Sequence, residues 1–202
     1  MRALAEGHGR TVRDLLRDLE RFTGDHGRVG QLAGYVRNQD DAMFDVLASD
    51  EAATAGEMLT ARAFRDIRSV VSRFYKLIIV DTGNNVRAEN WQAALDATDQ
   101  LVITLSARND SAETAARLLD HLDQIGRQEL VRRAVTVVTL PPHRNESHPR
   151  QVEEHFGARC RTVLRVPYDR HLSSGEPVRF GAVSAQTRAA WLSVAATVAT
   201  GL

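Results

Sequence analysis

Two periods of hydrophobic and polar positions alternate along the chain, one typical of strands and one typical of helices. Short apolar runs predict strands at residues 43–48, 77–80, 101–105, 134–140 and 162–166. Apolar residues three and four positions apart predict helices at 12–22, 55–74, 87–97, 110–125, 149–156 and 184–200. Strands that alternate with helices are typical of a parallel sheet covered on both faces. The sequence therefore predicts a three-layer α/β/α fold with a mostly parallel sheet, in a single domain of residues 1–202.

The run of four apolar residues at 77–80 is the centre of this pattern. Its composition, Leu-Ile-Ile-Val, is typical of a strand buried on both faces, and it ends at Asp81. Thr82, Gly83 and Asn84 then open a polar loop. Open α/β sheets bind ligands at the carboxyl ends of their strands, so Asp81 is a candidate site residue. The alternative is that Asp81 only ends the strand and caps the next helix.

Composition excludes several classes of function. The formal net charge is zero, which gives no bulk attraction to nucleic acid or to anionic lipid. A single cysteine, Cys160, allows no internal disulfide and favours a reducing cytoplasm. No stretch of about 18 apolar residues is present, and the N-terminus has no apolar core of a signal peptide. We therefore expect a cytoplasmic protein that does not associate with membranes.

Three segments follow one another in the order of the motifs of a known family. Residues 75–83, YKLIIVDTG, are similar to its strand and switch loop. Residues 97–104, ATDQLVIT, are similar to its next strand, and the following helix carries Ser111 and Arg117. Residues 163–169, VLRVPYD, with SGEPV at 174–178, are similar to its base-binding segment. Through these segments the chain resembles the MinD/ParA class of P-loop ATPases, which carry a deviant phosphate-binding loop, from about Phe44 to the C-terminus.

This resemblance implies an ATP-dependent dimer switch that positions chromosomes, plasmids, division machinery or secretion machinery. Asp81 would be the catalytic residue and would hold Mg²⁺ through water. Thr82, Gly83 and Asn84 would sense the γ-phosphate. The adenine side would be lined by Pro167, Tyr168 and Asp169. A homodimer and a protein partner are the implied assemblies, and DNA is a weaker candidate.

The chain also departs from the family. No KGGxGKT segment occurs in it, and the one lysine, Lys76, starts a strand. Such a loop supplies the backbone N–H groups and the lysine that hold the phosphates. The first βα unit is therefore missing from these residues, and we expect neither tight ATP binding nor ATP hydrolysis by them alone. The same absence should leave the strands of Ile78, Ile79 and Val102 beside an unpaired edge or in an exposed apolar patch. A nucleotide-free pseudo-ATPase adaptor that binds a protein partner is the alternative function.

The adenine side departs from the family as well. Residues 139–141, Thr-Leu-Pro, stand where the family often has an asparagine that hydrogen-bonds adenine. At positions 167 and 168 the chain has Pro and Tyr, the residue types that the family has there. The resemblance on the adenine side is therefore partial.

Three other groups of residues were candidates for chemistry. His143, His148 and His155 lie near several glutamates, but their spacing matches no zinc motif, which favours a solvated loop. Cys160 is interpreted as a buried structural thiol rather than a nucleophile. The arginine pair at 132–133 and the arginines of the first helix could contact phosphates. The acids interleaved on that helix favour a mixed, solvated face instead.

Overall fold

The computed structural model describes residues 9–22, 29–39, 43–49, 59–142, 149–175 and 178–202. The chain divides into two compact units, Met1–Ala97 and Thr98–Leu202, called here the N-terminal and C-terminal units. Each unit has a hydrophobic cluster of its own. Compact units can still unfold together, so the single domain expected from the sequence stays a prediction.

The N-terminal unit combines short helices with a small antiparallel sheet. Its elements are α1 (Val12–Arg17), a 3₁₀ turn (Leu19–Phe22), α2 (Val29–Leu32), β1 (Arg37–Gln39), β2 (Phe44–Val46), α3 (Ala61–Val71) and α4 (Glu89–Asp96). β1 pairs with β2, and Arg37 lies opposite Val46. β2 falls inside the predicted strand at 43–48. The polar β1 was not predicted, because three residues without an apolar side chain carry no hydrophobic signal.

Polar side chains fix where two of these helices begin. The hydroxyl of Thr11 accepts from the N–H of Arg13 at 3.3 Å, and the N–H of Thr11 donates to Asp14 Oδ2 at 2.9 Å. This capping box fixes the start of α1 at Val12, where the first predicted helix begins. Thr60 caps α3 by accepting from the N–H of Ala63 at 3.1 Å. Part of the helix predicted from residue 55 onward lies outside the described residues.

The core of the N-terminal unit is assembled from α1, the 3₁₀ turn, the end of α2 and the segment that follows it, and α3. Its buried members are Leu15, Phe22, Leu32, Tyr35, Val36 and Val70. The ring of Phe22 meets that of Tyr35 edge to face, with centroids 5.7 Å apart. Aromatic burial of this kind supplies much of the stability of a small cluster.

The segment at 77–80 differs from its prediction. It forms no strand within the described part of the chain, and all four side chains are exposed, Ile79 by 88%. The expectation of a strand buried on both faces is therefore wrong for this structure. A strand is held by hydrogen bonds to a neighbour, and an apolar run without such a neighbour does not form one. The side chains of Ile78, Ile79 and Val102 are exposed, in line with the apolar surface expected from the missing βα unit.

The C-terminal unit is the parallel α/β layer structure that the sequence predicts. Its elements are β3 (Val102–Ser106), α5 (Asn109–Gln124), α6 (Gln128–Arg133), β4 (Val135–Thr139), α7 (Pro149–Gly157), β5 (Thr162–Val166), α8 (Arg170–Ser173), a 3₁₀ turn (Phe180–Ala182) and α9 (Ala185–Ala199). The strand order is β3-β4-β5, and both pairings are parallel. β4 is central and buried along residues 135–138.

Helices cover both faces of this sheet. On one face, Val194 of α9 packs against Val135 and Val137 of β4 and Val166 of β5. On the other face, Gly157 at the end of α7 lies over Val163, so that a Cβ atom added at this glycine would be 4.0 Å from the Val163 side chain. Val163 and Leu164 are consecutive residues of β5, so their side chains project from opposite faces of the sheet. Leu164 packs on the α9 side, which places α7 on the other face. The α/β/α layering of this unit is thereby confirmed.

Candidate functional site

The Asp81 loop is short and exposed. The N–H of Gly83 donates to Asp81 Oδ1 at 3.3 Å, which closes an Asx turn. Gly83 has φ +63°, a left-handed conformation that glycine adopts without strain. The Thr82 hydroxyl donates to the carbonyl of Gly83 at 3.3 Å. Oδ2 of Asp81 has no partner among the described residues.

The loop continues directly into α4. The carbonyl of Asn84 accepts from the N–H of Val86 at 3.1 Å, and Asn85 Oδ1 accepts from the N–H of Arg87 at 3.3 Å. Helix α4 then begins at Glu89 with no side chain capping it. Asp81 therefore does not cap that helix, which removes the structural alternative raised by the sequence.

The second predicted segment follows β5 in the C-terminal unit. Tyr168 is 44% exposed, and its hydroxyl shares a 2.9 Å hydrogen bond with that of Ser173. Asp169 is buried and caps α8: its Oδ1 accepts from the N–H of His171 at 2.9 Å. Its Oδ2 accepts from the N–H of Ser184 at 2.8 Å. These bonds, the one from Ser184 first, hold the pKa of Asp169 below its ordinary value. The carboxylate is thus used for structure, while Tyr168 stays open to a ligand.

Parallel pairing places the ends of three strands side by side. Ser106 lies opposite Thr139, and Thr139 opposite Val166. Residues 107–108, 140–141 and 167–168 therefore leave the same edge of the sheet, the usual ligand edge of this fold class. Arg108 is at this edge, half exposed and bonded to Asp110 at 3.3 Å. Sequence reasoning missed Arg108, although its position two residues after the end of a strand could have indicated it.

The two predicted groups, 81–84 and 167–169, lie in different units. Each one fits part of a nucleotide. The free oxygen of Asp81 can accept from a Mg²⁺-bound water, and the exposed ring of Tyr168 next to Pro167 offers an apolar surface for a base. Neither segment provides the run of backbone N–H groups and the lysine that a triphosphate requires.

Other candidate residues have structural roles. Cys160 is buried, and burial raises the pKa of its thiol, as expected for a structural cysteine. Arg132 pairs with Glu129 at 2.6 Å, and Arg133 donates to the carbonyl of Gly201 at 3.2 Å. Arg17 of α1 pairs with Asp14 at 3.1 Å, which supports the mixed, solvated face.

Three histidines were considered as metal ligands, and two of them, His143 and His148, lie outside the described residues. His155 packs edge-on against Phe156, with ring centroids 5.2 Å apart. Within the described part of the chain, no three His, Cys, Asp or Glu side chains are grouped so that they could hold a metal ion.

The chain's architecture matches a solved ParA family ATPase from Chlorobium tepidum TLS. The two align with a TM-score of 0.71 over 94% of this chain and 76% of that one, at 20% sequence identity. The fold is ParA-like. At this identity the likeness establishes the fold alone, and no family model matches the sequence.

A second similarity comes from sequence. The chain is 27% identical over 137 residues to the ESX-1 secretion-associated protein EspI of two Mycobacterium tuberculosis strains, CDC 1551 / Oshkosh and ATCC 25618 / H37Rv. The match covers 66% of this chain and 21% of each relative, so the chain spans about a fifth of the length of these relatives.

Within the described residues of the ParA-like chain, every helix is too short or too polar to cross a bilayer.

Proposed function

We propose that this chain is part of a ParA-like ATPase that acts as a nucleotide-dependent switch for a protein secretion machinery. The ParA-like parallel sheet, with Tyr168 open at its carboxyl edge, is the observation that carries the proposal. The printed name of the EspI relatives supports the secretion context. ATP and Mg²⁺ are the proposed ligands, a homodimer the proposed active state, and a secretion protein the proposed partner.

Asp81, Thr82, Gly83 and Asn84 would act on the phosphate side of the nucleotide. Asp81 would orient a Mg²⁺-bound water through its free oxygen, and Mg²⁺, when bound, neutralises developing charge on the phosphates. Gly83 tolerates a change of backbone conformation, which suits a loop that responds to the γ-phosphate. On the base side, Pro167 and Tyr168 would contact adenine, while Asp169 would hold α8 in place beside them.

The 202 residues by themselves are proposed to be inactive towards ATP. Phosphoryl transfer depends on positioning and on electrostatic stabilisation of the β- and γ-phosphate oxygens. The sequence contains no glycine-rich loop with a lysine to provide this. Calorimetry with Mg²⁺-ATP should therefore detect no micromolar binding to this chain. Micromolar binding to it would show that the site has been assigned to the wrong residues.

Adding a phosphate-binding segment provides the positive test. Should the coding sequence upstream of Met1 contain a KGGxGKT segment in frame, the extended chain should hydrolyse ATP slowly and only with Mg²⁺. Asp81→Ala should abolish that hydrolysis. Glu129→Ala is the matched control and should leave the hydrolysis unchanged, because this exposed carboxylate of α6 pairs with Arg132 alone among the described residues. Equal rates in the extended chain and its Asp81→Ala variant would refute the role of Asp81.

The second candidate is a pseudo-ATPase adaptor. It is favoured by Asp169, whose two carboxylate oxygens are both engaged by backbone N–H groups of the fold. An adaptor would bind its secretion partner with the same affinity whether or not ATP is present. A switch would bind that partner with different affinities in the ATP-bound and ADP-bound states, so binding measured with each nucleotide separates the two.

A further inference from the structure

Helix α3 has an apolar face and a basic face. Ile67, Val70 and Val71 belong to the core cluster of the N-terminal unit or pack against it. The helical period brings arginine and serine side chains together on the opposite face. We call this set the α3 basic face: Arg62, Arg65, Arg68, Ser69 and Ser72. Arg68 is partly exposed and the other four are exposed, so positive charge is concentrated here in a chain of zero net charge.

Two arginines of this face have no acidic partner within the described residues. Arg65 and Arg68 make no ion pair and no side-chain hydrogen bond there. Arg62 has one carboxylate nearby, that of Asp66, at 3.7 Å. On α1, α5 and α6, by contrast, an exposed arginine pairs with an acid of its own helix at 3.1, 3.4 and 2.6 Å. The α3 basic face therefore keeps charge that the described part of the chain does not neutralise.

The surface beside these arginines is low. The arginines recur at every third position, which sets their Cβ atoms about 5–6 Å apart in one row. The two serines lie two turns further along the helix, seven residues after Arg62 and Arg65. Each hydroxyl donates to a carbonyl of its own helix, Ser69 to that of Asp66 at 2.7 Å and Ser72 to that of Ser69 at 3.4 Å. Small side chains folded back in this way leave room for a partner chain.

We propose that the α3 basic face docks an acidic segment of a protein partner, whose carboxylates are spaced about one helical turn apart. Acids beside the face favour a narrow partner over a broad polyanion. Asp66 lies next to the arginine row, and Glu89 of α4 accepts from the N–H of Ala61 at 3.3 Å, at the start of α3. A DNA duplex or an anionic bilayer would cover these carboxylates as well and be repelled by them. A short acidic segment can contact the arginines alone.

This surface specifies the chemistry of the secretion partner, and it rests on the proposed function only for the identity of that partner. Complementary charge between two surfaces provides specificity and speeds association. A further βα unit would extend a sheet and pack on apolar surface, so it would not cover the arginines. The site of docking is separate from the segments proposed to bind nucleotide.

Binding of a model peptide tests the proposal without nucleotide. The probe is a fluorescent peptide of about 16 residues, long enough to form a helix, with Glu at every third or fourth position. Its control has Gln in place of each Glu. Fluorescence anisotropy should show that the chain binds the Glu peptide at about 20 mM salt and about tenfold more weakly at about 200 mM. The Gln peptide should not bind at either salt concentration.

Charge reversal locates the binding surface. Arg65→Glu/Arg68→Glu should weaken binding of the Glu peptide about tenfold or more, because two attractive contacts become repulsive. The same variant should bind a Lys counterpart of the peptide, which the parent chain does not bind, and this gain requires a folded α3. Arg150→Glu/Arg179→Glu is the matched control. It reverses two exposed arginines that have no ion pair among the described residues, so it should bind the Glu peptide like the parent.

Photo-cross-linking provides a second measure of position. In a Cys160→Ala background, benzophenone attached at Ser69→Cys should cross-link the Glu peptide. Benzophenone at Ser193→Cys, an exposed position on α9, should not.

Four results would overturn the proposal. The first is no binding of the Glu peptide at low salt, and the second is equal loss of binding in the two arginine pairs. The third is equal cross-linking from positions 69 and 193. The fourth is tighter binding of duplex DNA or anionic vesicles than of the Glu peptide, lost in Arg65→Glu/Arg68→Glu. Because no nucleotide is present, each of these failures leaves the proposed ATPase function to its own tests.

Discussion

At the scale of single residues, the carboxylate of Asp169 links two parts of the chain by hydrogen bonds. It joins the first turn of α8 to Ser184, the residue that caps α9. The backbone N–H groups that it accepts from stabilise the ionised form. The segment after β5 is therefore held by one charge, and its stability should depend on pH.

Replacing Asp169 by Asn tests this dependence. The pKa of Asp169 is lower in the folded chain than in the unfolded chain. Its stabilising effect is therefore complete above the ordinary aspartate pKa of about 4, and it is lost as the pH falls through the lowered folded value. Asp169→Asn should melt at a lower temperature than the parent at pH 7, and the difference should shrink below about pH 4.

Thermal melts between neutral and acidic pH measure this effect. Asp99→Asn changes an exposed acid that has no hydrogen bond among the described residues, and it should match the parent throughout. A difference between Asp169→Asn and the parent that stays constant with pH would mean that the charge of Asp169 does not stabilise the fold.

At the scale of elements, hydrophobic pattern predicted the buried elements well and the polar ones poorly. β5 has the predicted bounds, Thr162–Val166, and α7 and α9 begin within one residue of prediction. The short α6 and α8 were missed, since helices of six and four residues show too little periodicity. The helix predicted to begin at Asp110 begins one residue earlier, at Asn109, so Asp110 lies inside its first turn.

The central strand β4 should be the most sensitive element of the C-terminal unit. Val137 is fully buried there, whereas Val102 on β3 is 38% exposed. Val137→Ala removes two buried methyl groups and leaves a cavity, so it should lower the unfolding free energy by about 2 kcal/mol or more. Val102→Ala should cost about 1 kcal/mol or less, because part of its area stays in water. Urea unfolding of both variants measures the two values, and equal losses would contradict this account of the sheet.

At the scale of the whole molecule, the distribution of charge and of apolar faces limits what the chain can bind. The formal net charge is zero, and no Lys or Arg follows Arg188. Trp191, Val194 and Val198 of α9 pack against the sheet, so the main apolar side of this last helix is already used. A helix that binds lipid needs a free apolar face together with basic charge.

The chain should therefore not associate with membranes. Sedimentation with vesicles of anionic lipid should leave it in the supernatant at low salt, where electrostatic attraction is strongest. Its distribution should not change when the vesicles are made of neutral lipid. If the chain pellets with anionic vesicles but not with neutral ones, it has a basic surface that its net charge of zero does not show.

The sequence alone determined the α/β class, the buried strands of the C-terminal unit and the two segments proposed to bind nucleotide. Burial of β4 on both faces gives a valine-rich run broken only by threonine, and such a run can be recognised without coordinates. Tertiary structure decided the state of residues 77–80, because hydrogen bonding to a neighbouring strand is not encoded in the run itself. It also decided the role of Asp169, since the N–H of Ser184 comes from a residue fifteen positions away.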